Sequence, residues 1–284
     1  MELSICANYL QKTELNDKSS FNMFRLCKEA GFTVVDYTPA GNTWEQQVAS
    51  LNRASELLEL PIEQSHAPFN RYKKMPMENY KVLLDHAFEA AIRMHNKQIV
   101  VHGDDYRVPE GEEYDAEDAM KQMYELWAPY VELAAKNDLC VAFETVFEDN
   151  RAKDAPPNRF TSRLDELIGL IDRFNDPHAV CCWDSGHARL AFTGEGMPDA
   201  MRTLGSRIIC THIHDNYYNR DLHVMPFYGD IDWRVQMATL KEIGYKGNLT
   251  FEFVYGNLPD QMVADFLHTA RKIGGMLKQM FDEA

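Results

Sequence analysis

The stretch Cys182-Trp183-Asp184-Ser185-Gly186-His187 carries the first residues able to do chemistry. It follows the apolar run Ala179-Val180-Cys181-Cys182 and so reads as the end of a buried strand. An Asp and a His three residues apart, with a small Ser-Gly between, can turn both side chains towards one point. A carboxylate oxygen and an imidazole at such a turn suit a divalent cation. Alone, the pair also reads as a solvated Asp beside an ordinary loop His. Glu144, His212 and Glu252 give it company, since each also stands at the end of an apolar run. Cys140-Val141-Ala142-Phe143 precedes Glu144 and Leu249-Thr250-Phe251 precedes Glu252, surroundings in which an uncompensated carboxylate is costly. A buried salt bridge to Arg or Lys would answer that cost. A metal answers it better, because two glutamates, an Asp and a His would otherwise crowd negative charge together.

The elements that must position these residues alternate strictly. Strands are expected at Leu3–Asn8, Thr33–Tyr37, Ile62–Ala67, Gln98–Val101, Leu139–Thr145, the run ending at Asp184, Arg207–Ile213 and Leu249–Val254. Helices are expected at Phe21–Ala30, Trp44–Leu60, Asn79–Met94, Ala116–Asn137, from Ser162 to Phe174, near Pro198–Leu204, at Trp233–Ile243 and at Pro259–Met280. Polar loops are expected over Asp104–Asp115, Phe147–Phe160 and Asp215–Asp232. Eight strand–helix units with no linker predict an α/β fold, a (β/α)8 barrel forming a single domain over 1–284. An open doubly wound sheet would need a Gly-rich first turn, which Cys6-Ala7-Asn8 is not. Barrel closure would gather His66, His102, Glu144, Asp184, His187, His212, Asp221, His223 and Glu252 at the strands' carboxyl ends, where barrel active sites are built. Taken singly, a His near an apolar run is more often a satisfied core or loop residue.

Composition excludes more than it identifies. The 284 residues carry 29 Lys and Arg against 44 Asp and Glu, a net charge of −15 that repels nucleic acid and anionic membrane surfaces. No basic leader with a long apolar stretch opens the chain, and no run of 18 apolar residues occurs, so no signal peptide, no membrane span and a cytoplasmic location are expected. The six cysteines (6, 27, 140, 181, 182 and 210) fall mostly inside apolar runs and read as reduced, buried thiols. Cys181-Cys182 is not expected to bind metal as a pair, because neighbours on a strand face opposite ways.

Over essentially its whole length the chain resembles the xylose-isomerase-like sugar phosphate isomerase/epimerase superfamily, which also holds endonuclease IV. Phe143-Glu144, Trp183-Asp184-Ser185-Gly186-His187, His212-Ile213-His214-Asp215-Asn216, Asp221-Leu222-His223, Gly229-Asp230-Ile231-Asp232-Trp233 and Gly244-Tyr245-Lys246-Gly247 before Glu252 carry the resemblance. It implies a TIM barrel with one divalent metal ion (Mn, Zn, Co or Mg) held by Glu144, Asp184, His212 and Glu252. His214 rivals His212 as ligand, since residues i and i+2 of a strand share a face; the His-x-x-Asp pattern favours His212. His66, His102, His187, Asp221 and His223 are then expected to bind substrate. Family members often read Pro-Gly-x-Gly where this chain has Pro226-Phe227-Tyr228-Gly229, which reshapes the pocket rim.

The expected activity is metal-dependent isomerisation or epimerisation of a sugar or sugar phosphate, with Glu144 and Glu252 as catalytic residues that remove and return a proton. A dehydratase or lyase of the inosose or dehydroshikimate type is the alternative. A zinc-dependent apurinic-site endonuclease is a further one, as the same nine positions match its three-zinc set, but it needs a basic DNA track. A non-catalytic ligand-binding barrel is the remaining reading. Arg151, Lys153 and Arg159 either hold a phosphate or are solvated loop charges. The expected partner is a small sugar, with no nucleic acid and no membrane; a homo-oligomer stays open.

Overall fold

The computed structural model describes residues 1–70, 75–106, 113–148, 159–192 and 196–284. Seven strands, β1 (Leu3–Cys6), β2 (Val34–Asp36), β3 (Ile62–His66), β4 (Gln98–Val101), β5 (Cys140–Glu144), β6 (Ala179–Asp184) and β7 (Ile208–His212), pair in parallel with their sequence neighbours. A short hairpin, β8 (Asp215–Tyr217) and β9 (Arg220–Val224), follows before β10 (Leu249–Phe251). β10 pairs with β1 and reaches back to β7 through Ile213 N to Thr250 O (2.7 Å) and Glu252 N to Ile213 O (3.2 Å). Eight parallel strands thus close almost fully into a TIM barrel, the expected fold.

Helices α1 (Ser20–Ala30), α2 (Trp44–Leu58), α3 (Met77–Arg93), α4 (Ala116–Ala135), α5 (Leu164–Phe174), α6 (Ser185–Phe192), α7 (Gly196–Leu204), α8 (Trp233–Glu242) and α9 (Asp260–Glu283) lie between and after the strands. Local chemistry sets several starts and stops. Ser19, Asp115 and Asp232 cap α1, α4 and α8 by accepting backbone N–H groups that the first turn leaves unpaired. Gly31, at φ 98°, ends α1 in the left-handed conformation that costs glycine least.

Strand alternation separates the two cores. Ile5, Val35, Ile99, Val101, Val141, Phe143, Cys181, Trp183 and Phe251 belong to the large cluster that includes the buried helix faces. Each such fully buried large side chain contributes roughly 1.5–3 kcal/mol. Val100, Ala142, Val180, Cys182 and Cys210 form a separate small cluster on the opposite parity, inside the barrel. Cys181 and Cys182 therefore face opposite ways, as neighbours on a strand must, and all six cysteines are free thiols. Continuing the interior parity to the strand ends arrives at Asp36, His66, His102, Glu144, Asp184, His212 and Glu252.

Three sequence expectations need correction. The segment after Asp184 is helix α6 rather than a turn, and His187 sits in its first turn. The loop expected over Asp215–Asp232 contains the β8–β9 hairpin, whose turn residues Tyr218 and Asn219 both take positive φ (56° and 50°). The first strand ends at Cys6, and Ala7–Lys12 is a 3₁₀ turn. Among the described residues no helix is long and apolar enough to cross a membrane.

Candidate metal centre and active site

Glu144 ends β5 and is almost wholly buried, as are Asp184 at the end of β6 and His212 at the end of β7. Glu252 follows β10 immediately and keeps 14% of its side chain exposed. One ligand atom from each of these four lies within 4.8 Å of the others. His212 Nδ1 points into the group, 2.6 Å from Glu144 Oε1, 3.5 Å from Glu252 Oε2 and 3.8 Å from Asp184 Oδ2. Among the described residues no Arg or Lys pairs with these acids; their ion-pair partners are imidazoles.

Two further groups flank the four. On one side His66 Nε2 (3.2 Å) and His102 Nε2 (2.7 Å) both meet Glu144 Oε2. On the other side His187, His214, Asp221 and His223 bring ligand atoms within the same 4.8 Å. Asp221 lies 3.6 Å from His187 Nε2 and 3.3 Å from His223 Nε2. The His214 ring stacks on His223 at 3.8 Å, and its Nε2 lies 2.9 Å from Asp184 Oδ1. All nine residues expected at the mouth are thus brought together, and His214 joins them. His212, rather than His214, stands in the four-donor group.

The charges are strongly interlocked. Carboxylates and carbonyls only accept, so His66 donates from both nitrogens, to Glu144 and to Ala67 O (2.6 Å). Burial opposes that charge, yet Glu144 raises the His66 pKa. Burial likewise opposes charge on His187, but Asp184, Asp221 and Glu144 push it up to about 10. His223 rises to about 9, where burial is outweighed by Asp221 and Glu252. Burial works against ionising Glu144, but His212 and His102 hold its carboxyl well below the usual range.

Neighbouring residues explain why these side chains stay aimed. Asp184 Oδ1 accepts the His187 N–H (2.6 Å), so the same carboxylate caps α6 and fixes His187. Ser185 Oγ donates to His214 O (2.6 Å), tying α6 to the chain beyond β7. A β-carbon on Gly186 would overlap the His214 ring, so only glycine lets that ring pass the helix start. Asp215, fully buried, accepts from Phe227 N (3.1 Å), Ile231 N (3.2 Å) and Trp233 Nε1 (2.9 Å). The Gly229–Trp233 motif is therefore scaffolding gathered round one carboxylate. Phe227 occupies its place at φ 72°, a left-handed position that suits the glycine expected there.

Arg159 is not a solvated loop charge: it is buried, pairs with Asp104 and donates to Phe147 O (2.8 Å). Arg151 and Lys153 lie outside the described residues. Sequence reasoning missed Asp36, which is 2% exposed and places Oδ2 3.8 Å from His212 Nε2, the nitrogen facing away from the four-donor group. It also missed Tyr9, whose hydroxyl donates to Glu252 Oε1 (3.5 Å). An acid ending the Val34-Val35-Asp36 run was the available signal for the first; nothing marked the second.

The donor set fits a divalent cation. Oxygen and imidazole donors converge without a competing Lys or Arg among the described residues.

Residues 24–272 match the family model described as xylose isomerase-like TIM barrel. Among curated proteins, uncharacterized protein MJ1311 of Methanocaldococcus jannaschii is 26% identical over 204 residues, 66% of this chain and 62% of that protein. Uncharacterized protein y4fM of Sinorhizobium fredii is 35% identical over 83 residues, 29% of this chain and 26% of that protein. The chain thus spans less than two thirds of either curated relative. Among solved structures, a D-tagatose 3-epimerase-like protein superposes with TM-score 0.78 at 19% identity, covering 100% of this chain and 99% of that one. The D-psicose 3-epimerase of Clostridium cellulolyticum H10 gives 0.74 at 14%, covering 98% and 99%. The 3-keto-D-glucoside 4-epimerase of E. coli gives 0.71 at 15%, covering 97% and 100%. At these identities the likeness is one of fold.

Proposed function

The chain belongs to the xylose isomerase-like TIM-barrel family, and from that premise we propose that it is a sugar isomerase or epimerase dependent on one divalent metal ion. The carrying observation is the four-donor group of Glu144, Asp184, His212 and Glu252, buried at the carboxyl ends of adjoining barrel strands. Likeness over nearly the full length to two sugar epimerases and an epimerase-like protein supports the same reading. When bound, the metal supplies Lewis-acid polarisation of a hydroxy-carbonyl unit.

The chain's own residues would move the proton. Glu252 keeps an edge open to the mouth, where, among the described residues, the Tyr9 hydroxyl and imidazole nitrogens approach its carboxylate. Glu144 takes N–H groups from His66 and His102, which fix its position and weaken it as a base. We assign Glu252 as the freer base and Glu144, once it has taken a proton from the adjoining His66 imidazolium, as the group that returns that proton on the other face. His187, held by Asp184 and by Thr145 O (3.1 Å), would donate to the developing oxyanion. Phe69 stacks on His102 at 4.7 Å and fixes that ring.

Turnover of candidate ketoses in deuterated water, followed by NMR, tests the reading. Deuterium should enter at the reacting carbon and fail to enter in Glu144→Gln and Glu252→Gln proteins that still bind metal. Product free of solvent deuterium over repeated turnovers would defeat the two-base account. One observation favours a second reading, hydrolysis of a phosphoester at several metal ions: two further donor groups border the first. Two or three equivalents of zinc, with zinc-supported incision of abasic duplex DNA, would establish it.

A further inference from the structure

Beside the four-donor group a cavity of about 500 Å³ runs outward between the ends of β2 and β3 and helices α2 and α3. Its inner end is bounded by Glu252, His66 and Asp36, and its outer walls include Pro39, Trp44, Pro68, Leu83 and Ala87. Such a volume lies within the roughly 300–1,000 Å³ of pockets that enclose whole small molecules. The chemistry above uses only its inner end.

We propose that this outer compartment receives the substituent of a glycoside, so that the preferred substrate is a glycoside whose sugar ring carries a ketone, the group the chemistry above acts on, and whose aglycone is apolar or aromatic. The proposal rests on the sugar reading above and names its substrate class. A free monosaccharide is hydroxylated all round, and each hydroxyl set against an apolar wall gives up hydrogen bonds to water without replacement. Several polar groups that border the compartment are already hydrogen-bonded within the protein. Asn8 donates to Thr38 O (2.9 Å) and accepts from Thr38 N (2.7 Å), while Thr38 Oγ1 accepts from His66 N (2.7 Å). The Lys12 ammonium lies over the Tyr9 ring at 4.4 Å, and His86 stacks on Trp44 at 5.2 Å. The Arg93 guanidinium also lies 5.4 Å from the Trp44 ring, so this wall is preformed rather than assembled on binding. Polar donors at the reacting end and a largely apolar outer end match a two-part ligand: a hydroxylated head and an apolar tail.

The test is calorimetric titration of the metal-loaded protein with phenyl β-D-glucoside and methyl β-D-glucoside, which differ only in aglycone. The phenyl compound should bind at least about tenfold tighter, as burying a phenyl-sized apolar surface predicts. Two variants report the location. Ala40→Trp fills the compartment from an exposed rim position, and Leu83→Asp makes its wall polar; each should bring the phenyl affinity down to the methyl value at unchanged metal content and melting temperature. Equal affinities in the parent, or a phenyl preference that survives both variants, would overturn the proposal. Deuterium exchange into free ketohexoses separates the two levels. Exchange without a phenyl preference removes the subsite and leaves the epimerase reading; no exchange and no binding of either glycoside removes both.

Discussion

Asp36→Ala should weaken metal binding without weakening the fold. Asp36 Oδ2 faces His212 Nε2 at 3.8 Å, while Nδ1 of the same ring faces Glu144, Glu252 and Asp184. Its other partner is Gln64 Nε2 at 3.1 Å, itself backed by Gln98. A carboxylate behind a ligating imidazole fixes its tautomer and tilt, and removing such a partner typically costs about 10–100-fold in metal affinity. A second effect runs the other way. In the metal-free protein Asp36 also favours the imidazolium, by about 4 kcal/mol at this separation and an effective dielectric near 20. Burial opposes that charge, but Glu252, Glu144 and Asp36 together raise the His212 pKa well above its ordinary value. The proton therefore competes with the metal for Nδ1, and deleting Asp36 relieves part of that competition. The expected loss is accordingly largest at high pH and smaller near pH 7, with Asp36→Asn between parent and Ala at both. Competition titration against a chelating dye at pH 7 and pH 9, with melting temperatures of the chelated proteins, measures this. A dissociation constant within twofold of the parent at both pH values would refute the positioning role. So would a loss that follows a fall in the melting temperature of the chelated protein.

Other outcomes follow from the same geometry. The metal-free protein should lose stability as pH rises from about 6.5 through the folded values of about 9 for His223 and about 10 for His187, because raised imidazole pKa values stabilise the fold only while those rings are protonated. Thermal unfolding across pH 6–10.5 should show this slope flattened in the metal-loaded protein, and identical slopes would count against it. Asp184→Asn should lower metal affinity with modest loss of fold, since barrel stability sits mainly in the core, as metal analysis beside a melting curve will report. Gly186→Ala should displace the His214 ring and cost at least about 2 kcal/mol of stability, the scale of overpacking a filled core, read from denaturant unfolding. Duplex DNA with an abasic site should be neither bound nor cut, given the net charge of −15; tight, steeply salt-dependent binding in a mobility-shift assay would contradict this.

The barrel and the ring of candidate ligands were legible because both follow from short-range periodicity. Apolar runs ending in Glu144, Asp184, His212 and Glu252 each put an acid or imidazole on the interior parity once their strands are parallel. Helix α6 was hidden, since Ser185-Gly186 gives little helical preference and its start is set by the Asp184 carboxylate accepting the His187 N–H. The β8–β9 hairpin was hidden because a polar segment carries no alternation, and what orders the chain around it is the buried Asp215 beneath residues 227–233. Arg159 looked like a loop charge because Asp104, its partner, lies 55 residues away.

Sequence by itself therefore determined the alternating elements, the acidic balance and the four residues at strand ends where a cation is the economical answer to buried negative charge. Tertiary structure alone decided which nitrogen meets which carboxylate: that His212 turns Nδ1 inward and Nε2 to Asp36, and that Glu144 gathers three imidazoles. It also decided that an apolar compartment opens beside Glu252. The reason is one of range. Strand parity is set by the backbone within a few residues, whereas ring tilt, pairing and cavity walls are set by side chains from β2, β3, α2 and α3 that meet only when the barrel closes.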